Sequence, residues 1–305
     1  MSLIAAEVDR SAVERAREFE LEEARNLQRA IVPSEPLHAG PVEIASRYHP
    51  VAGVGGDFLD YFLLPDWTLG LYVGDVVGKG LPAALYAALA VGTLRGIPKT
   101  GEPPANVLTL LNRRLHMRVM PGRFCAVQYA VFDPVTRVLS YANAGLPGPV
   151  RISARGCREL HDGGVPVGLF PDKSYDLHRV ELDPGDTVLF LTDGLTEAQN
   201  RDAEEFGMER VFHVCCQHRG EPAEALLQHL FAAVERFVGG HAQYDDMAEM
   251  IRLGAYRRGS DPLVDEAIRY NPDIERFLAQ GKTERTDLGT GYAQLAGVLG
   301  MPAPA

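Results

Sequence analysis

Cysteine is scarce in this chain: four in 305 residues, none of them in a Cys-x-x-Cys pair. Cys125 and Cys157 stand alone, and Cys215 and Cys216 are adjacent inside an apolar-periodic stretch. That usage points to neither a zinc ribbon nor a dithiol redox motif, and it reads the Cys215–Cys216 doublet as buried thiols in a reducing compartment. Long apolar runs are missing too. The longest, Leu81 to Leu94, falls short of the roughly 20 residues that cross a bilayer, so no membrane span is expected. The start, Met1 to Arg10, has no basic segment followed by an apolar one, and a cytoplasmic location is the expectation. Basic residues are in deficit. Thirty Lys and Arg against 41 Asp and Glu leave a net charge of −11, which argues against nucleic-acid or anionic-membrane partners, whose phosphates need a basic face. An acidic protein can still handle phosphate when a bound cation supplies the positive charge.

What is present is the composition of an ordinary folded protein, with 46% hydrophobic and 23% charged residues. The length suits one large domain with an appendage, and such a domain buries a core without staples. Residues 7–32 read as a helix rich in Glu, Arg and Ala, ended by Pro33. It is expected either to pack on the following domain or to pair in a homodimeric coiled coil. Short strands are expected at Val42–Tyr48, Trp67–Val73, Phe124–Phe132, Arg137–Asn143 and Thr187–Thr192, with weaker ones at 150–152, 159–160 and 175–182. Leu81–Leu94, apolar all round, reads as a buried helix. Asn106–Val119, with Asn106 as a cap, Arg210–His218 and Pro222–Val238 read as further helices. Strands, two helices, more strands and two more helices do not alternate as a doubly wound sheet does. They predict an α+β layered fold with sheets inside and helices outside.

Four aspartates stand out by their settings. Asp57 follows Gly55-Gly56, and Asp75 ends the run Tyr72-Val73-Gly74. Asp193 ends the apolar run Leu189-Phe190-Leu191-Thr192, and Asp245 opens the doublet Asp245-Asp246. A carboxylate at the mouth of a buried strand is costly unless partnered, and flanking glycines let the backbone approach a ligand. Several converging carboxylates repel one another unless a cation sits among them, and all-oxygen sets suit hard divalent ions. Each Asp taken alone is equally an ordinary turn residue. The run Gly74-Asp75-Val76-Val77-Gly78-Lys79-Gly80 is not a P-loop: only three residues separate Gly74 from Gly78-Lys79, and no Ser or Thr follows the lysine.

These segments, together with Asn143-Ala144-Gly145, Gly168-Leu169 and Thr192-Asp193-Gly194-Leu195-Thr196-Glu197-Ala198, resemble the motifs of the PPM metal-dependent phosphatases. The likeness is to their SpoIIE/RsbU-like bacterial branch, over about residues 20–247, and Leu27-Gln28-Arg29-Ala30-Ile31-Val32-Pro33 is similar to that branch's leading helix. The resemblance implies an αββα sandwich holding two Mn²⁺ or Mg²⁺ ions. It implies that Asp75 bridges the ions with the backbone carbonyl of Val76 beside it, that Asp57 holds one, and that Asp193 and Asp245 hold the other. It further implies hydrolysis of phosphoserine or phosphothreonine by a water that the two metals activate, on a phosphoprotein such as an anti-sigma factor antagonist. Val77, Leu146 and Ala248 depart from the branch, which has Ser or Thr, His and Thr there.

Beyond Asp246 the pattern changes. Residues 249–300, with Val264, Ala267, Ile268, Ile274, Phe277 and Leu278 at helical spacing, resemble the C-terminal end of flagellar and type III secretion ATPases. The expected organisation is an N-terminal helix and linker (1–33), a phosphatase-like domain (34–253) and a helical appendage (254–305). The alternative reading is a non-catalytic scaffold that docks to export machinery through this tail. A helix in place of the closing strand at 247–253 would cost the sheet an edge and displace Asp245.

Overall fold

Apolar residues alternate along the strands and line one side of the helices, and these two periods stack the chain into layers. The computed structural model describes residues 2–39, 42–50, 53–64, 68–97, 101–118, 120–160, 163–240 and 246–250. The elements run α1 (Ser2–Ile31), β1 (Leu37–Ala39), β2 (Val42–Ile44), β3 (Ser46–His49), β4 (Phe58–Leu63) and β5 (Leu69–Val76). Next come α2 (Leu81–Arg95), α3 (Pro104–His116), β6 (Cys125–Asp133), β7 (Val138–Ala144), β8 (Val150–Ser153) and β9 (Gly156–Glu159). The last are β10 (His178–Glu181), β11 (Thr187–Leu191), α4 (Asp193–Thr196), α5 (Gly207–Gln217), α6 (Ala223–Val238) and β12 (Met247–Met250).

Two antiparallel five-stranded sheets result, in the orders β10-β7-β6-β5-β4 and β3-β12-β11-β8-β9, and β1 and β2 form a separate ribbon. Strand alternation divides the apolar residues among three cores. Leu71 and Val73 of β5 meet Val188 and Phe190 of β11 between the sheets. Tyr72 and Val76 face the other way, against Ala87, Ala90 and Leu94 of α2 and Leu108 and Leu111 of α3. Leu189 and Leu191 face α5 and α6, against Val211, Leu226 and Leu230. The order of layers is therefore helix, sheet, sheet, helix, as the sequence led one to expect.

Several details differ from the sequence reading. The helix expected from residue 7 starts at Ser2, and α3 starts at Pro104, behind Pro103, rather than at Asn106. Proline fits a first turn because its missing N–H would have no helical partner there. Val42–Tyr48 is broken into two strands that serve different sheets. β4 was not anticipated, and Trp67, where the next strand was expected to begin, lies outside the described residues. α2 is not buried all round. Leu81, Leu85 and Leu89, at helical spacing, are exposed, and Leu81 and Leu85 border a groove of about 410 Å³ against Ala24, Leu27 and Ile31 of α1. Residues 247–250 form a strand, and it is an interior one between β3 and β11. The tail from residue 251, which holds the expected appendage, lies outside the described residues.

α1 packs on the domain through half-buried Leu21, Ala24, Gln28 and Ile31 and leaves Val13, Phe19 and Leu27 exposed. Its end is tied down by Arg95, which donates to the Ile31 carbonyl at 2.8 Å and to Asp60 Oδ2 at 2.9 Å. The expected free doublet is also split. Cys216 of α5 is disulfide-bonded to Cys157 of β9, with a Cα–Cα distance of 5.9 Å, while Cys125 and Cys215 are buried thiols. Sequence spacing could not show this, because the bridge depends on α5 packing against β9. Among the described residues no helix is long and apolar enough to cross a membrane.

Candidate metal centre

The register of β4 and β5 pairs Phe58 with Gly74, so one step further along the same ladder Asp57 stands beside Asp75. Alternation turns both away from Phe58 and Tyr72, toward the space between the sheets. Asp57 is 1% exposed. Its Oδ2 accepts a 2.7 Å hydrogen bond from the Thr192 hydroxyl, at the end of β11 in the other sheet. Asp246, immediately before β12, is 4% exposed, and its Oδ2 accepts from the Gly56 N–H at 2.6 Å.

The two glycines before Asp57 are needed for space. A Cβ on Gly55 would run into the Asp246 carboxylate. One on Gly56 would lie 2.7 Å from the Val76 carbonyl oxygen and 3.3 Å from Asp75 Oδ1. The Val76 carbonyl therefore borders the same pocket of oxygens as the carboxylates. The loop is held from outside by Gln28 of α1, whose amide donates to the Gly55 carbonyl at 2.7 Å and accepts from the Gly55 N–H at 3.0 Å.

Burial raises the Asp57 carboxyl well above its ordinary range, and the neighbouring Asp75 and Asp246 charges push it further the same way, against the Thr192 hydrogen bond. Tyr48 of β3 is raised by burial first and then by the Asp246 and Asp57 charges, against a backbone hydrogen bond with Gly55. Like charges facing one another in a desolvated cleft beside a backbone carbonyl form a donor set suited to a hard divalent cation.

The structure thus brings together Asp57, Asp75 and the Val76 carbonyl. Asp193 is half-buried as the first residue of α4, next to Thr192. Asp245 lies outside the described residues, and its neighbour Asp246 is the one seen in the cluster. Sequence reasoning assigned no role to Asp246, Thr192, Gln28 or Tyr48. The Asp245-Asp246 doublet was a signal for the first. Thr192 and Gln28 stand inside segments with a family likeness, but their partners lie 135 residues away for Thr192 and 27 for Gln28, and nothing local marks Tyr48. Asn143 and Gly168, singled out as motif residues, serve the frame. Asn143 bonds the N–H and carbonyl of Leu146 across a turn, and the Gly168 N–H donates to Asn112.

Known proteins resemble this chain in sequence and fold. The family model described as Stage II sporulation protein E (SpoIIE) matches residues 65–251, beginning beyond Asp57. A second, the T3SS EscN ATPase C-terminal domain, matches residues 228–297. Phosphoserine phosphatase RsbU of Bacillus subtilis (strain 168) is 26% identical over 185 residues, 60% of this chain and 55% of that protein. The flagellum-specific ATP synthase of Caulobacter vibrioides (strain ATCC 19089 / CIP 103742 / CB 15) is 54% identical over 56 residues, 18% of this chain and 13% of that one. The solved SiaA-PP2C domain of Pseudomonas aeruginosa matches with a TM-score of 0.70 at 25% identity, covering 80% of this chain and 99% of that domain. The chain spans about half the length of the first curated relatives it matches. Since the first model covers more than half of the sequence, and a PP2C domain shares the sandwich, the chain belongs to the Stage II sporulation protein E (SpoIIE) family of PP2C-type phosphatase domains.

Proposed function

We propose that the chain is a metal-dependent protein phosphatase that hydrolyses phosphoserine or phosphothreonine on a protein of the anti-sigma factor antagonist type. The observation that carries this reading is the buried Asp57 facing Asp75 and Asp246 at the mouth of the inter-sheet space. The proposed ligands of two Mn²⁺ or Mg²⁺ ions are Asp57, Asp75, the Val76 carbonyl, Asp193 and Asp245, with Asp246 added to the set. Bound there, the ions lower the pKa of a water toward neutrality and offset the charge of the phosphoryl oxygens.

The chain's own contribution is to hold the oxygens ready. Thr192 fixes the Asp57 carboxylate across the sheets, and Gly56 does the same for Asp246. The bare Gly55-Gly56 backbone leaves room for the carboxylates, and Gln28 holds that loop against α1. The test is hydrolysis of a phosphoserine peptide with Mn²⁺. Asp75→Asn should lower it by more than about 100-fold, since even outer-shell partners of a metal cost about 10–100-fold. Activity that survives a chelator, or Asp75→Asn, overturns the reading.

The match of residues 228–297 to a secretion-ATPase domain favours a second role, docking of residues 254–305 to export machinery. Deleting 255–305 should then abolish capture of that machinery while leaving peptide hydrolysis intact. A homodimer through α1 belongs to the same proposal. It rests on exposed Val13, Phe19 and Leu27, and sedimentation of the full chain checks it.

A further inference from the structure

Between α1 and β3, the edge strand of the second sheet, lies a cleft of about 450 Å³. Arg25, Gln28 and Arg29 of α1, Tyr48 and His49 of β3, and Gly53 line it. Its inner wall borders the carboxylate cluster. Gln28 bonds Gly55, two residues before Asp57, and the Tyr48 hydroxyl feels the charges of Asp246 and Asp57.

Arg25 and Arg29 stand one turn apart on α1, a like-charged pair that by itself weakens a helix. Arg25 Nη1 donates to Glu22 on the same helix at 2.8 Å. The Arg25 guanidinium lies over Gly53, whose φ of +83° and missing Cβ admit it, and its Nε is buried there with no hydrogen-bond partner among the described residues. Arg29 is exposed and makes no ion pair among the described residues. None of the described residues lining the cleft is acidic, although the chain as a whole carries a net charge of −11. These charges do little for the fold, since an exposed pair within one helix contributes almost nothing and Arg29 has no pair at all.

Their place suggests a use. A phosphoserine presented to the carboxylate cluster belongs to an extended chain rising about 3.3 Å per residue, so its neighbours in sequence must pass over the rim of the cluster. The carboxylates there repel an acidic segment, and the two guanidiniums reverse that sign on the α1 side. A guanidinium fork takes a carboxylate through two parallel hydrogen bonds, which a neutral side chain cannot return.

We propose that Arg25 and Arg29 form a subsite for an acidic residue flanking the phosphoserine. The inference rests on the phosphatase reading above and adds a preference for acidic phosphoprotein segments.

The test uses the full-length chain with Mn²⁺ and two phosphoserine peptides of equal length, one with acidic and one with neutral flanks. Wild type should show a KM about tenfold lower for the acidic peptide, a preference that shrinks with added salt. In Arg25→Gln/Arg29→Gln the ratio of the two KM values should fall toward one with little change in the ratio of the kcat values, and Arg25→Lys/Arg29→Lys should restore part of it. Should the double glutamine variant fail to fold, Arg29→Gln, which removes no ion pair, decides by the same ratio. Equal KM values in wild type, or an acidic preference that survives these glutamine substitutions, overturn the subsite. Hydrolysis of p-nitrophenyl phosphate, which has no flanking residues, separates the two readings. If wild type hydrolyses it and the subsite fails, the phosphatase reading stands, whereas no hydrolysis by wild type overturns both.

Discussion

In the first sheet, β4, β5, β6 and β7 are consecutive strands, each paired with its neighbour in sequence. In the second, β12 joins β3 to β11 and brings together residues 46–49, 187–191 and 247–250. One sheet is closed by local ladders and the other by contacts across most of the chain, whose loop closure costs more entropy. The candidate site uses both. Asp57 and Asp75 meet through a local hairpin register, whereas Thr192 and Asp246 arrive from 135 and 190 residues away. A site assembled this way senses whether the two sheets are docked.

The sharpest test of the difference is to cut the core that the sheets share. Phe190→Ala in β11 should destabilise by about 3–5 kcal/mol and Leu71→Ala in β5 by about 2–5 kcal/mol, as both are fully buried between the sheets. Urea unfolding followed by fluorescence and by circular dichroism should show one shared transition for each. Separate transitions would mean that the sheets fold as independent units.

Asp246→Asn probes the long-range link at smaller scale. The amide can still accept from Gly56, but one charge that raises Asp57 is gone. A carboxyl raised in the folded state holds its proton more tightly than in the unfolded chain. Metal-free stability is therefore full below the ordinary value of 3.8 and is lost as pH climbs through the raised one. Melting curves in chelator across that range should show a shallower fall for Asp246→Asn, with a gain on the order of 1 kcal/mol, near the worth of one pKa unit. A steeper fall would remove Asp246 from the cluster.

Gln28→Ala probes the link from α1. Two part-buried hydrogen bonds to Gly55 disappear, and a cost of about 1 kcal/mol is expected in chemical denaturation. The smallest effect concerns the outer layer of the second sheet. Burial pushes the Cys215 thiol up to about 12, so at pH 8 it stays protonated. Iodoacetamide followed by mass spectrometry should leave Cys215 unmodified until the protein is unfolded.

The legible parts of the fold were those that local pattern controls. The apolar run 187–191 and the paired helices could be read from periodicity, and so could the sense of the layers. β4 escaped because Phe58-Leu59-Asp60-Tyr61-Phe62-Leu63 mixes a buried aspartate with apolar residues on both faces. Asp60 is tolerated there because Arg95 and the Tyr72 hydroxyl reach it from α2 and β5. The exposed leucines of α2 misled for the opposite reason: an apolar residue reports burial only when something packs on it. β12 escaped because Met247-Ala248-Glu249-Met250 has no β-branched residue, and its strand state comes from the two neighbours that pair with it.

By itself the sequence determined an α+β layered fold with helices outside, the aspartates at strand ends and the glycines beside them. These follow from periodicity and from the conformational freedom of glycine, which act within a few residues. Only the tertiary structure decided that Asp246 faces Asp57, that Thr192 and Gln28 hold the loop, that Cys216 pairs with Cys157, and that Arg25 and Arg29 share a cleft with Tyr48. Each of those is a contact between distant segments, set by how the sheets and helices dock rather than by what stands next in the chain.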